Sequence, residues 1–164
     1  MADDILNILI LCTGNSARSI LGEMLINRLG QGRFAGFSAG STPTGKVNPF
    51  ALELLKQKGY DISGLRSKSW DEFAVPGAPK IDFVITVCDN AAGETCPVWP
   101  GHPARAHWGI ADPAAATGSD ADRMGAFNAA YDQLEARISA FAALDLKALD
   151  ADALQGELDA IGRL

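Results

Sequence analysis

Residues 5–12, Ile-Leu-Asn-Ile-Leu-Ile-Leu-Cys, are apolar almost without alternation. A strand open to water on one face alternates, so this run fits a strand buried on both faces, as in a parallel sheet covered by helices. It is too short to cross a bilayer. Met1-Ala2-Asp3-Asp4 before it is acidic where an export signal would be basic, so the expectation is a cytoplasmic protein. With 164 residues the chain fits one domain, residues 1–164, with a helical extension from about residue 145.

The rest of the chain switches between the helical and strand periods. After Arg18, Leu21, Met24, Leu25 and Leu29 recur at helical spacing, and Gly30 stands where a left-handed cap is expected. Residues 34–40 put Ala35, Phe37 and Ala39 on one face and read as a second strand. Asn48-Pro49 supplies an N-cap and a first-turn proline, and Gly59 closes that helix. Ser69 to Glu72 has the form of a capping box. Residues 82–88 and 104–108 predict strands three and four. Ser119 with Asp122 opens the longest helix, whose stripe of Met124, Phe127, Tyr131, Leu134, Ile138 and Phe141 is expected to pack on the sheet. Leu154, Leu158 and Ile161 continue the pattern in a last helix, which Gly156 weakens. The alternation predicts an α/β fold with a four-stranded, mainly parallel sheet and, through right-handed crossovers, helices on both faces.

The net charge is −6 with no basic run, which argues against nucleic acid or an anionic membrane as the main partner, so any anion must be bound locally. Three cysteines, Cys12, Cys88 and Cys96, disfavour a disulfide framework. Cys88 and Cys96 do not form a Cys-x-x-Cys pair, and neither His102 nor His107 has a partner at zinc-finger spacing, so no zinc is predicted. Taken singly, each cysteine is a small buried hydrophobe. Their placement argues otherwise. In a parallel sheet the carboxyl ends of the strands share one rim, where ligands bind. Cys12 ends strand one, Cys88 ends strand three and Asp112 follows strand four.

The stretch Cys12-Thr13-Gly14-Asn15-Ser16-Ala17-Arg18-Ser19 is suited to hold a tetrahedral oxyanion against a sulfur. Gly14, Asn15, Ser16, Ala17 and Arg18 can offer backbone N–H groups at a helix N-terminus, and the guanidinium of Arg18 adds a bidentate pair. A positive field of this kind favours a thiolate. Ser19 can donate to the sulfur, and Asn15 suits a left-handed backbone position.

These residues resemble a family. Cys-x5-Arg-Ser after strand one, with Asp112-Pro113 late in the chain, is similar to the low-molecular-weight protein tyrosine phosphatase fold. Within it, Thr86-Val87-Cys88, Glu94-Thr95-Cys96-Pro97 and residues 107–113 resemble the redox segment and acid loop of the thiol-dependent arsenate reductases. The resemblance implies that Cys12 attacks arsenate held by the loop and Arg18 while Asp112 acts as acid. Cys88 then releases arsenite by forming a disulfide with Cys12. Cys96 passes the disulfide outward, on the composition-mobile loop of residues 89–101, to an external thiol reductant, thioredoxin or glutaredoxin. Phosphate or sulfate would bind as arsenate analogues, and no bound cofactor is implied.

Three departures qualify it. Ala17 stands where some relatives carry a cysteine. Lys68 stands where relatives with a potassium site are acidic, so if Asn15, Glu23 and Ser38 converge, its ammonium replaces the ion and no metal is predicted. The longer gap from Cys88 to Cys96 leaves the reductant open. The competing enzyme reading is a tyrosine phosphatase using Cys12, Arg18 and Asp112 alone, but Pro113 is followed by Ala114 and Ala115 instead of a tyrosine pair. A non-catalytic binding module is disfavoured because nucleophile and acid are both present. Trp70, Trp99 and Trp108 read as packing residues.

Overall fold

A computed structural model of the chain describes residues 5–88 and 103–164. Strands β1 (Leu6–Leu11), β2 (Phe34–Ala39), β3 (Phe83–Thr86) and β4 (Ala104–His107) form one sheet in the order β2-β1-β3-β4, parallel at every pairing. In register, Leu11 stands beside Ala39 and Thr86, and Thr86 beside His107. The four carboxyl ends therefore finish level and form one rim.

Four α-helices accompany the sheet: α1 (Arg18–Leu29), α2 (Pro49–Gln57), α3 (Asp120–Ala142) and α4 (Ala151–Ile161). Two short 3-10 helices span Trp70–Phe73 and Pro113–Ala115. β1 lacks alternation because both of its faces are covered. Ile8 and Ile10 join a cluster with Ile20, Leu25, Leu54 and Phe127 from the α-helices. Leu9 and Leu11 point the other way, into Trp70, Phe73, Ile81 and Val84, so the first 3-10 helix covers the second face. Each such side chain contributes about 1.5–3 kcal/mol by leaving water.

Local signals were obeyed where no tertiary partner competed for them. Asn48 Oδ1 accepts from Phe50 N at 2.8 Å and Pro49 opens α2, while Gly59 takes φ 86° just past its end. Ser119 and Asp122 close a reciprocal capping box at the head of α3, with bonds of 3.1 and 3.0 Å. The expected box at Ser69 does not close. Ser69 Oγ accepts from Asp71 N, and the Glu72 carboxylate is taken by the Arg66 guanidinium. Gly30 is also not left-handed (φ −70°); that conformation falls to Gln31 and Gly32. Gly30 is there for space, since a Cβ would lie 2.9 Å from Phe34 Cβ. β3 ends at Thr86, so Cys88 lies two residues beyond the strand.

The apolar stripe of α3 runs along α1 and α2, not across the sheet. It reaches strand level at Phe141, whose ring meets Phe34, Phe83 and Trp108 with centroids 5.1, 5.2 and 6.0 Å away. Helix α4 covers the outer edge of β4. Leu158 and Ile161 are buried, Gln155 Nε2 donates to Arg105 O at 3.0 Å, and Trp108 Nε1 donates to Leu158 O at 3.0 Å. Gly156 faces open space, so its cost is only the intrinsic glycine penalty of about 1 kcal/mol. Among the described residues no helix is long and apolar enough to cross a membrane.

Candidate active site

The chain leaves the sheet at Cys12, whose N–H still donates to Ala39 O at 3.3 Å. The loop that follows is held from its outer side by its carbonyls. Thr13 O accepts from Thr42 N at 3.0 Å, Gly14 O from Thr44 N and Ser67 Oγ, both at 3.0 Å, and Ser16 O from Asn48 N at 2.8 Å. Among the described residues no hydrogen bond takes up the backbone N–H groups of Gly14, Asn15, Ser16, Ala17 or Arg18. With the carbonyls fixed outward, these five donors sit together at the N-terminus of α1, the arrangement that binds a tetrahedral anion.

Asn15 is fully buried at φ 45°, the left-handed conformation its type tolerates. Its amide orientation follows from its neighbours. Oδ1 accepts from Lys68 N at 2.9 Å, which turns Nδ2 toward Ser19 Oγ at 2.8 Å. Ser19 Oγ in turn lies 2.9 Å from Cys12 Sγ, and both residues are buried. A Cβ on Gly40 would collide with Thr13 O and come within 2.8 Å of Cys12 O, so only glycine lets β2 approach this loop.

Cys88 closes the site from β3. Its sulfur accepts from Thr13 N at 3.3 Å and lies 3.6 Å from Thr13 Oγ1, so the second thiol is docked one residue from the first. Cys12 is a free thiol. On the β4 side, Arg18 Nη1 donates to Ile110 O at 3.0 Å, and Nη2 lies 3.7 Å from Asp112 Oδ2. Asp112 is half exposed; its Oδ1 accepts from Ala114 N and caps the second 3-10 helix.

Behind the loop, Glu23 Oε1 accepts from Ser38 Oγ at 2.6 Å and faces Lys68 Nζ at 3.8 Å, while Nζ also donates to Arg66 O. Asn15, Glu23, Ser38 and Lys68 thus do converge. Burial pulls the Lys68 pKa below its ordinary value, the Arg66 charge adds to that, and Glu23 opposes it.

The structure brings together Cys12, Gly14, Asn15, Ser16, Ala17, Arg18, Ser19, Cys88 and Asp112. Cys96, Trp99 and His102 lie outside the described residues. His107 Nδ1 lies 2.7 Å from Thr86 Oγ1, and Trp70 and Trp108 are buried in packing. Among the described residues no group of three His, Cys, Asp or Glu side chains gathers. Two contributors escaped the sequence. Thr13 was read only as part of the loop, although a hydroxyl beside a nucleophile was a signal. The Ile110 carbonyl left none, because any residue supplies one.

The family described as low molecular weight phosphotyrosine protein phosphatase matches residues 7–155. The arsenate reductase of Halalkalibacterium halodurans is 38% identical over 132 residues, 80% of this chain and 91% of that protein. The arsenate reductase of Bacillus subtilis is 36% identical over the same shares. Among solved structures, an arsenate reductase in the phosphate binding state superimposes with a TM-score of 0.67 at 26% identity, covering 85% of this chain and 98% of that one.

Proposed function

Since the chain belongs to the low molecular weight phosphotyrosine protein phosphatase family, we propose that it uses this scaffold to reduce arsenate to arsenite. The observation that carries the reading is Cys88, a second thiol hydrogen-bonded to the residue after Cys12. Phosphomonoester hydrolysis needs one thiol here; reduction needs two. The arsenate reductase relatives, which match most of their own length, support the same reading.

The Cys12 thiolate attacks arsenic, forming an S–As bond, while one arsenate oxygen departs as water with a proton from Asp112. The N–H groups of residues 14–18 and the Arg18 guanidinium hold the remaining oxygens. The Cys88 thiolate then attacks Cys12 Sγ. As the S–S bond forms, the S–As electron pair stays on arsenic, which leaves as arsenite. Cys96, assigned by resemblance, attacks Cys88 and frees the Cys12 thiolate. An external dithiol protein of the thioredoxin or glutaredoxin type reduces the Cys88–Cys96 bond by the same exchange, supplying the two electrons. Behind the loop, Lys68 Nζ stands 3.8 Å from Glu23 Oε1 and supplies a positive charge there.

Phosphatase activity through Cys12, Arg18 and Asp112 is the second reading, favoured by the shared loop. Against it, Asp112-Pro113 is followed by Ala114 and Ala115, so this segment carries no ring to grip an aromatic ester. Arsenite formation and phosphomonoester hydrolysis measured side by side in native chain and Cys88→Ser decide between them. Loss of the first activity alone is expected. Multiple-turnover arsenate reduction by Cys88→Ser would overturn the relay.

A further inference from the structure

Arg137 is a guanidinium placed inside a core. It lies on the buried face of α3 between Leu134 and Ile138, is 5% exposed, and pairs with no carboxylate side chain among the described residues. Its bonds are to main-chain oxygens: Nη1 donates to Trp108 O and Gly109 O, each at 3.0 Å, and Nη2 donates to Leu164 O at 3.1 Å. Nε is buried without a partner among the described residues. Burying a guanidinium is costly, and an apolar side chain would fill this stripe more cheaply.

The two carbonyls that it grips locate what this arrangement acts on. Trp108 and Gly109 join the end of β4 to Ile110, and Ile110 is the residue whose carbonyl receives Arg18 Nη1. Two residues further on is Asp112, beside Arg18 Nη2. A continuous set of bonds therefore runs from Arg137 through two adjacent peptide units to both charged groups on the β4 side of the site. The main chain here is otherwise tied to β3 by Trp108 N to Thr86 O and by Ile110 N to Val87 O; the second bond shares the peptide unit of Gly109 O with Arg137, while the unit that carries Trp108 O is held, among the described residues, by Arg137.

We infer that Arg137 is a positioning residue for the acid loop, its forked contact with Trp108 O and Gly109 O aiming Ile110 O at Arg18 and setting Asp112 over the oxyanion cradle. This rests on the arsenate reading for the part played by Asp112, not for the part played by Arg18. Lysine keeps the charge but reaches as a single point, whereas glutamine loses the charge and can donate to one carbonyl only.

Two measurements test it. In the first, kcat for arsenate reduction is compared for native chain, Arg137→Gln, Asp112→Asn and the double variant, with Arg137→Lys beside them. Displacing an acid by about 1 Å costs roughly a hundredfold at most, so Arg137→Gln is expected to lower kcat about tenfold to a hundredfold. In the Asp112→Asn background it should cost less than about twofold, because the group being positioned is gone. Arg137→Lys should recover part of the loss and shows the same dependence on Asp112 if the glutamine variant does not fold. Equal losses in both backgrounds, or native kcat in folded Arg137→Gln, would overturn the proposal. In the second, inorganic phosphate is titrated calorimetrically into reduced native chain and Arg137→Lys. Weaker binding, severalfold, is expected because Arg18 loses its aimed carbonyl; unchanged affinity would refute that half. If the native chain makes no arsenite, the arsenate reading fails, and phosphate affinity alone then decides on Arg137.

Discussion

A thiolate carries no hydrogen, so a hydroxyl beside it can only donate. Lys68 N needs an acceptor and finds Asn15 Oδ1; Asn15 Nδ2 then donates to Ser19 Oγ, and the Ser19 hydrogen is left for Cys12 Sγ. The serine is thus the donor whenever the Cys12 sulfur is a thiolate. A hydrogen bond to a charged acceptor is worth about 1.5–3 kcal/mol, so Ser19→Ala is expected to slow alkylation of Cys12 at neutral pH by roughly tenfold or more, measured with a haloacetamide in a Cys88→Ser/Cys96→Ser background. Lys68 gives a pH prediction. Burial lowers its folded-state pKa, so between that value and the ordinary 10.5 the unfolded chain binds more protons than the folded chain. Stability from this residue therefore rises with pH through that window, the burial cost of the charge being fully present below it. Urea midpoints taken across the alkaline range should show a rise in the native chain that is missing from Lys68→Met. Most of this pocket was legible in the sequence, since Cys12, Arg18, Ser19 and the left-handed Asn15 follow from residue type and spacing. The outward anchoring of Thr13 O, Gly14 O and Ser16 O was not, because main-chain partners such as Thr42 N and Thr44 N carry no residue-type signal.

Elements show the same division between local and distant causes. Ser119 and Asp122 formed their box because nothing else competes for either side chain, whereas at Ser69 a guanidinium four positions before Trp70 claimed Glu72 and left an open 3-10 helix. The stripe on α3 gave its period in sequence but not its neighbour, for Phe127 and Tyr131 would be apolar against either a sheet or a helix. Gly40 belongs to this scale because it sets how closely β2 can approach the loop after β1. Gly40→Ala puts a methyl carbon against Thr13 O and inside 2.8 Å of Cys12 O, and both atoms are backbone that can yield only by moving the loop. A shift near 1 Å in a reacting centre costs about a hundredfold, so this variant should keep its far-ultraviolet dichroism while losing phosphate binding and roughly that factor in arsenate reduction. Alanine at Gly156, which faces open space, is the matched control and should be stabilising by about 1 kcal/mol.

For the molecule as a whole, the parallel order β2-β1-β3-β4 was legible because uninterrupted apolar runs separated by helical periods admit few other folds, and it carried the convergence of Cys12, Cys88 and Asp112 with it. The coverage of the β4 edge by α4 was less legible, resting as it does on Gln155 reaching Arg105 O and on a tryptophan N–H meeting Leu158 O. The bond from Thr13 to Cys88 spans 75 positions in the chain, and that from Arg18 to Ile110 spans 92. Closing loops of that size costs entropy before any contact repays it, so such bonds form late and only with the central sheet in place. The site is then built on contacts between segments far apart in the chain. Activity should therefore report global cooperativity: in a urea series, arsenate reduction and the dichroism of the sheet should decay along one curve, and activity lost well before the dichroism would mean the two halves of the site part company while the sheet still stands. If that single curve is found, Cys12 gains its anion loop only where Cys88 is already docked beside Thr13, so the two thiols are assembled in one step.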